Sequence, residues 1–513
     1  MEHKSFIEAI NKSYSFPGSS IFLGAGVLNG EIIADAKVNL PLSMMNRHGL
    51  VTGATGSGKT RTLQVIAEQL SAAGVSVFMP DMKGDLSGFA KEATANERIN
   101  ERADAIGISY QPSAYPVELY SLSGKLGAQM RATVTEFGPV LLGKILELND
   151  VQTGVLNIVF KYADDKNLPI VDFNDLKKVL SYLTEGDGAA EIKDSYGRIS
   201  SSTSGTILRK IVSLEQQQID QIFGEPSFDI DDLFTKVDGR GVISLLNVSD
   251  VQHQPAVFST FMLALLVEIY QTMPEAGDLD KPKLVFFLDE AHLLFKDASK
   301  TFLDQIEQII RLIRSKGVGI FFCTQLTADI PANVLSQLGN RVQHVIRAFT
   351  PNDAKSLRET VNTFPHSEFY DIEKQFTQLG TGQAFITVLN EKGIPTETVV
   401  THLVPPSSVM GPLSGDEYQA LQRDSELYRK YAEKVDPESA FEILNARINQ
   451  SKDDDDASEK PSTRKSTSKK EKSTFEEVLQ SPVAKQVGRE LVRGVFGVLF
   501  GSPSRRKRRG SLF

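Results

Sequence analysis

The segment from Gly53 to Thr60, which reads GATGSGKT, restricts the fold of this chain more than any other feature. It matches the pattern G-x-x-x-x-G-K-[ST] in full, and it follows a short apolar run and precedes a segment with helical spacing. Glycines let the backbone curve round a phosphate without side-chain clash, and N–H groups at a helix start stabilise the negative charge. The pattern therefore predicts a phosphate-binding loop between a buried strand and a helix.

Each residue of this loop is a candidate ligand of a nucleotide. We expect Lys59 to bridge the β- and γ-phosphates and the Thr60 hydroxyl to ligate Mg²⁺. The alternative is a glycine-rich turn that ends in Lys-Thr by chance, which the strand and helix on either side argue against. The predicted nucleotide-binding residues are Gly53, Ala54, Thr55, Gly56, Ser57, Gly58, Lys59 and Thr60.

Two acidic residues follow the apolar run LVFFL at 284–288. A phosphate loop needs a carboxylate at the end of a neighbouring buried strand to hold Mg²⁺, and Asp289 fits that position. Glu290 is then the candidate general base that polarises the attacking water. The alternative is a solvated turn with a helix N-cap. His292, two residues on, is a weaker candidate that could equally be a histidine at the rim of the core.

A third candidate follows the next apolar strand, which ends in FFCTQ. Ligands bind at the carboxyl edge of a parallel sheet, so Gln325 is expected to face the nucleotide and to sense its γ-phosphate. A polar residue that simply leads from the strand into a loop is the alternative.

Composition excludes several classes of protein. The single cysteine, Cys323, rules out a disulfide framework and a site built from several cysteines. The first residues do not read as a secretory signal, and the apolar stretch 256–267 is about a dozen residues long, so we interpret it as a core helix. These features predict a cytoplasmic protein.

The net charge is −9, and because residues 451–513 are basic, the rest of the chain is still more acidic and shows no basic patch typical of DNA binding.

The order of four segments resembles a known family. GATGSGKT, LVFFLDEAH, RLIRSKGVGIFFCTQ and VLSQLGNRVQHVIRAFTPNDAKSLR follow one another as in the HerA-like branch of the HerA/FtsK ATPases, and closely as in its bacterial YjgR-type proteins. The resemblance covers most of residues 20–405. It implies a hexameric ring that surrounds double-stranded DNA, ATP and Mg²⁺ as ligands, and a nuclease as a possible partner.

The resemblance also implies arginines that contact the γ-phosphate, one in cis and one from a neighbouring subunit. Arg347 lies closest to the family's pattern, and Arg311, Arg314 and Arg341 are further candidates. Ordinary surface ion pairing is the alternative for each of them.

The expected fold class is α/β, a RecA-like P-loop NTPase with a parallel-dominated central sheet, a helical insertion and a flexible C-terminal tail. Its tail combines a polar linker, an apolar stripe at four-residue spacing and the cluster 505–509 of arginine and lysine. The expected segments are an N-terminal β-rich flap (1–45), the RecA-like ATPase core (46–85 and 239–405), a helical insertion (86–238), a helical extension (406–450), a disordered linker (451–474), and an amphipathic helix with a basic tail (475–513).

Three functions remain open from the sequence. The leading one is an ATP-hydrolysing ring motor, a HerA-like DNA translocase or helicase. A nucleotide-switched assembly or scaffold ATPase that does not translocate is the second, and an ATPase like those of type IV secretion is the third. An intact Glu290 favours hydrolysis over a pure switch.

Overall fold

The computed structural model describes residues 2–251, 253–296 and 300–458. The chain divides into two compact units, Met1–Ala446 and Arg447–Phe513, and the sheet and the site belong to the first. The second unit is described as far as Ser458, where the last helix ends, so this helix overlaps the start of the predicted linker. The rest of that linker and the predicted tail at 475–513 lie outside the described residues.

Most of the described strands join one twelve-stranded sheet. Numbered along the chain, the strands are β1 (Ser20–Leu28), β2 (Glu31–Pro41), β3 (Gly49–Thr52), β4 (Ser76–Asp81), β5 (Val117–Ser121), β6 (Ala128–Gln129), β7 (Lys236–Val237), β8 (Arg240–Gly241), β9 (Ile243–Asn247), β10 (Leu284–Leu288), β11 (Val318–Thr324), β12 (Asn340–Gln343), β13 (Gln383–Thr387) and β14 (Val399–Leu403). Strands β7 and β8 form a separate two-stranded ribbon.

Eight consecutive strands of the sheet are parallel, in the order β12-β3-β11-β10-β4-β9-β5-β6. The central strands are unbroken apolar runs, such as LVFFL in β10, and every residue of β10 and β11 is buried. Such runs are typical of a parallel sheet that is covered by helices on both faces. This arrangement confirms the predicted α/β fold with a parallel-dominated sheet.

The other end of the sheet is antiparallel. Strands β13 and β14 pair with each other, and β14 is not the edge of the sheet, because β1 pairs with β14 and β2 pairs with β1. The segment predicted as an N-terminal flap thus contributes two strands to the main sheet. It also begins with a helix whose buried residues Phe6 and Ile10 recur at a spacing of four, and Phe6 packs edge-on against Phe369.

The helices are α1 (Glu2–Ser13), α2 (Lys59–Ala72), α3 (Glu97–Ala105), α4 (Val134–Ile145), α5 (Asp150–Asp165), α6 (Phe173–Thr184), α7 (Gly188–Ser195), α8 (Ser201–Gln216), α9 (Pro255–Thr272), α10 (His292–Phe295), α11 (Lys300–Ile313), α12 (Ala332–Leu335), α13 (Pro351–Val361), α14 (Ile372–Phe376), α15 (Gly415–Asp424), α16 (Glu426–Lys430) and α17 (Ala440–Ser458). The predicted insertion at 86–238 contains α3 to α8, and it also contributes β5 and β6 to the sheet. These two strands are short and β5 is only partly buried at its start, so their apolar signal is weak.

Helix α9 is longer than the apolar stretch 256–267 predicts. It has 18 residues and is the one helix in the described part of the chain that is long and apolar enough to cross a membrane. However, 61% of it is buried inside the protein. The sequence suggested that this segment is too short to span a membrane, but the helix is long enough to do so. Its burial inside the protein nevertheless fits the predicted core helix.

Candidate functional site

The phosphate loop connects β3 to α2 and depends on three glycines with positive φ. Gly53, Gly56 and Gly58 have φ values of 149°, 76° and 110°, a region that other residues rarely adopt. A Cβ atom on Gly53 would lie 2.5 Å from the Cβ of His344. The loop therefore follows a path that glycine permits, and at Gly53 the close approach of a neighbouring strand end adds a second reason for this residue.

Lys59 lies inside the curve of the loop. Its Nζ atom donates to the carbonyl oxygens of Gly53 at 2.8 Å and Ala54 at 3.2 Å. The loop is anchored on the side of β12, since the Ala54 N–H donates to the Val345 carbonyl at 2.8 Å. A cation held among carbonyl oxygens at the start of a helix is placed to exchange these oxygens for those of a phosphate.

His344, the residue that follows β12, supports the loop. It is fully buried, and its Nε2 atom lies 2.9 Å from the hydroxyl of Thr62, on the first turn of α2. Burial, followed by the charge of Lys59, lowers the pKa of His344 to about 4. The ring is therefore neutral at physiological pH and adds no charge of its own beside the loop.

The acidic pair follows β10 at the carboxyl edge of the sheet. The Glu290 N–H donates to the Asp289 carboxylate at 2.9 Å, and the Ala291 N–H donates to the Cys323 carbonyl at 2.8 Å. Glu290 has a φ of 49°, which is uncommon for a residue with a side chain. Its carboxylate oxygens lie 3.7 Å from Nζ of Lys83 and 3.5 Å from Nδ1 of His292. The structure thus places His292 in contact with the proposed base.

Strand β11 lies between the loop strand β3 and the acidic strand β10. Gln325 follows its last residue and is exposed at the same carboxyl edge. Cys323, on β11, is fully buried, and burial together with the neighbouring Asp289 carboxylate raises the pKa of its thiol well above the usual range. The sheet order therefore brings the start of the phosphate loop, Gln325 and Asp289 to the ends of three adjacent strands.

Lys83 is a neighbour of the site that the sequence analysis did not single out. It stands in a turn after β4 that is organised by the buried Asp81, whose carboxylate accepts the N–H groups of Lys83, Gly84, Asp85 and Leu86. Strand β4 pairs with β10, so this turn lies beside the acidic pair. The segment DMKGD after the apolar run VSVFM carried the same strand-end signal as Gln325 and could have been found in the same way.

The candidate arginines are divided between the two ends of the sheet. Arg311 and Arg314 line a cavity of about 700 Å³ together with Arg47, which precedes β3, so they lie at the amino ends of the strands. Arg341 is on β12 opposite Leu50, also toward the amino end, and burial lowers its pKa. Arg347 follows β12 at the carboxyl edge and is exposed. Of these four, Arg347 is thus the one at the edge that carries the phosphate loop.

The residues present fit a nucleotide with Mg²⁺. Lys59 faces carbonyl oxygens of the loop that phosphate oxygens can replace, and the Ser57 hydroxyl is buried without a hydrogen-bond partner among the described residues. No group of three or more His, Cys, Asp or Glu that could hold a metal occurs in the described part of the chain. Mg²⁺ in nucleotide sites needs only one or two protein oxygens besides phosphate and water, which Thr60 and Asp289 supply.

Comparison with known proteins identifies relatives of this chain. The family model described as "Helicase HerA-like C-terminal" matches residues 28–508. The "DNA double-strand break repair helicase HerA" of Sulfurisphaera tokodaii is 24% identical over 381 residues, which cover 72% of this chain and 68% of that protein. The helicase of the same name from Sulfolobus acidocaldarius is 23% identical over 383 residues, 74% of this chain and 70% of that protein.

A solved structure shares the fold. The bacterial conjugative coupling protein TrwBdeltaN70 superposes with a TM-score of 0.50 at 13% identity, over 79% of this chain and 95% of that one. Together the matches confirm the predicted resemblance to HerA-like P-loop ATPases, and with it ATP hydrolysis with ATP and Mg²⁺ as ligands. The finer likeness to YjgR-type proteins and the roles of single residues stay predictions.

Proposed function

Because the chain belongs to the Helicase HerA-like C-terminal family, we propose that it is an ATP-driven motor that moves along double-stranded DNA. The observation that carries the proposal is the sheet order β3-β11-β10 in a chain of this family. This order places a phosphate loop, a polar strand end and an acidic strand end side by side. Two relatives are named DNA double-strand break repair helicases, which favours DNA as the substrate.

Each site residue has one role in this proposal. Lys59 would pair with the β- and γ-phosphates. The Thr60 hydroxyl and the Asp289 carboxylate would hold Mg²⁺, which would supply positive charge against the phosphates during transfer of the γ-phosphoryl group to water, with ADP as the leaving group. Glu290 accepts a proton from the attacking water. Gln325 contacts the γ-phosphate and links the nucleotide state to movement of the sheet edge. Lys83 and His292 orient the Glu290 carboxylate from either side.

The active unit in this proposal is a homo-oligomeric ring, a hexamer in which Arg347 reaches a nucleotide. Arg347 is exposed at the carboxyl edge of the sheet, so it is accessible to a neighbouring subunit as well as to its own loop. The ring encloses DNA, works in the cytoplasm, and delivers the DNA to a partner such as a nuclease. A ring needs few basic residues to hold DNA, because it retains the DNA by enclosing it as well as by charge.

The deciding experiment measures ATP hydrolysis by the full chain with and without duplex DNA. We expect duplex DNA to raise kcat several-fold at low salt and the Lys59→Ala variant to show no activity under either condition. Displacement of a third strand from a triplex then tests movement along the duplex. ATP hydrolysis that duplex DNA leaves unchanged, with no triplex displacement, would reject the motor and favour the assembly or secretion alternatives.

A further inference from the structure

Both oxygens of the Glu290 carboxylate have a charged or polar side chain beside them. Oε1 lies 3.7 Å from Nζ of Lys83, and Oε2 lies 3.5 Å from Nδ1 of His292. A carboxylate acts as a general base when one of its oxygens accepts a proton from the attacking water. In this arrangement the water has to compete with Lys83 and His292 for the carboxylate.

The backbone of Lys83 is fixed, whereas its side chain is largely in solvent. The buried Asp81 carboxylate accepts the N–H of Lys83 at 3.3 Å and that of Gly84 at 2.7 Å, so the turn after β4 is held in place. The Lys83 side chain is 64% exposed, whereas the Glu290 side chain is 23% exposed. A ligand from solvent therefore reaches this ion pair from the side of the lysine.

The contact between Lys83 and Glu290 is loose enough to be exchanged. Its distance of 3.7 Å is longer than a hydrogen bond, so the fold loses no hydrogen bond when the pair separates. Exposed ion pairs shift an equilibrium by up to about fivefold. Duplex DNA presents a dense row of phosphates that attract lysines and release counterions when they bind. A DNA phosphate beside Lys83 would thus compete with Glu290 for the ammonium group.

We propose that Lys83 is a positioning residue whose ammonium group exchanges between Glu290 and a phosphate of duplex DNA. Without DNA, the ion pair restrains the carboxylate. When a DNA phosphate takes the ammonium group, Glu290 is released to accept the proton of the attacking water. This inference rests on the proposed function, because it requires ATP hydrolysis and a DNA substrate, and it adds a means by which DNA controls the rate of hydrolysis.

The test removes the charge of Lys83 and measures ATP hydrolysis by the full chain with and without saturating duplex DNA. In Lys83→Met we expect the DNA-free kcat to rise about two- to fivefold, because the restraint on Glu290 is lost. The ratio of kcat with DNA to kcat without DNA should fall by at least about twofold, since DNA then has no ion pair to break. Lys83→Arg keeps the positive charge and should preserve the DNA ratio.

Lys125→Met is the matched control. Lys125 is an exposed lysine in the turn after β5, at the same carboxyl edge of the sheet, and Glu290 is not among its ion-pair partners in the described part of the chain. This variant loses the same charge but leaves the contact with Glu290 intact. We therefore expect it to keep the wild-type DNA-free kcat and the wild-type DNA ratio.

Three results would overturn the inference while DNA still stimulates the wild type. They are a DNA-free kcat in Lys83→Met that is unchanged or lower, a rise of kcat that leaves the DNA ratio at its wild-type value, and the same rise in Lys125→Met. A failure of the proposed function is distinct from these, because duplex DNA would then leave the kcat of the wild type itself unchanged. That result would overturn the exchange with DNA as well.

Discussion

Glu290 combines an unusual backbone conformation with two polar neighbours of its side chain, Lys83 and His292. A non-glycine residue with φ of 49° costs on the order of 1–3 kcal/mol and persists only when its surroundings hold it. Here the Ala291 N–H bonds to the Cys323 carbonyl and fixes the turn to β11. In this conformation the two carboxylate oxygens lie near Lys83 and His292, at the strand end that follows β10.

The first prediction separates nucleotide binding from hydrolysis. Lys59→Ala removes the cation that pairs with the phosphates, so we expect the Kd for ATP to rise at least about tenfold. Glu290→Gln keeps the shape and removes the base, so we expect ATP to bind normally while kcat falls by about 10²–10⁴. Binding by calorimetry and single-turnover hydrolysis give the two values. A Glu290→Gln variant that hydrolyses ATP at the wild-type rate would contradict the assignment of the base.

The second prediction concerns the loop between β3 and α2 as an element. Gly53→Ala and Gly56→Ala both put a side chain at a positive φ, but only the first meets an atom, the Cβ of His344 at 2.5 Å. Gly56 has open space, so it is the matched control. We expect Gly53→Ala to lower the free energy of unfolding by about 1–3 kcal/mol more than Gly56→Ala, because overpacking adds to the backbone strain.

Urea unfolding of both variants measures this difference. The Kd for ATP should also rise more in Gly53→Ala, since the loop must shift away from β12 to accommodate the methyl group. Equal losses of stability in the two variants would show that the approach of His344 does not restrict the loop.

The strand order of the sheet determines which loops lie next to one another. The carboxyl ends of β3, β11 and β10 are consecutive, and backbone pairing of β11 with both β3 and β10 makes the loops that follow these strands neighbours. The amino ends of the same strands carry Arg47, Arg311 and Arg314 around a separate cavity. Arg47, Arg311 and Arg314 therefore lie at the amino ends of the strands, whereas the phosphate loop of the same subunit lies at the carboxyl ends.

The third prediction tests the oligomer as a whole. Lys59→Ala and Arg347→Ala subunits should each be inactive alone, because one lacks the phosphate contact and the other the proposed arginine. If Arg347 acts in trans, a mixture of the two variants contains interfaces with an intact loop and an intact arginine, and ATPase activity should recover partially. Titration of one variant into the other measures this. No recovery at any ratio would contradict action in trans and leave Arg347 acting in its own subunit or serving a structural role.

The fourth prediction is a loss of stability in acid that depends on His48. The fully buried His48 ring donates from Nε2 to the Ile310 carbonyl at 2.7 Å and accepts the Ile320 N–H at Nδ1, so it must be neutral. Burial lowers its pKa to about 4 from 6.5. Between these values the unfolded chain binds more protons than the folded chain, so the stability present above pH 6.5 is lost as pH falls toward 4.

Urea unfolding at pH 7 and pH 5 checks this prediction. His48 alone should account for about 2 kcal/mol of the loss between these values. A His48→Gln variant is less stable at pH 7 but should show a pH dependence that is smaller by that amount. The same pH dependence in the variant and the wild type would exclude His48 as a source of the acid sensitivity.

The sequence alone predicted the phosphate loop and the apolar strands β10 and β11, but it did not predict the weakly apolar strands β5 and β6. These predictions rest on features of short segments. One is the pattern of Gly53, Gly58 and Lys59, and the others are the apolar runs before Asp289 and Gln325, because glycine conformation and strand burial depend on neighbouring residues. Which strands become neighbours is not local. It depends on packing between segments far apart in the chain, and it decided three features that the sequence left undetermined.

The first of these features is the position of β11 between β3 and β10, which makes Gln325 a neighbour of both loop and acids. The second is the turn after β4, which carries Lys83 to Glu290 from a distant part of the sequence. The third is the contribution of β1 and β2 to the antiparallel edge next to β14. Strand pairing is selected by the side chains that both faces of the sheet bury, and a single strand's pattern does not name its partner.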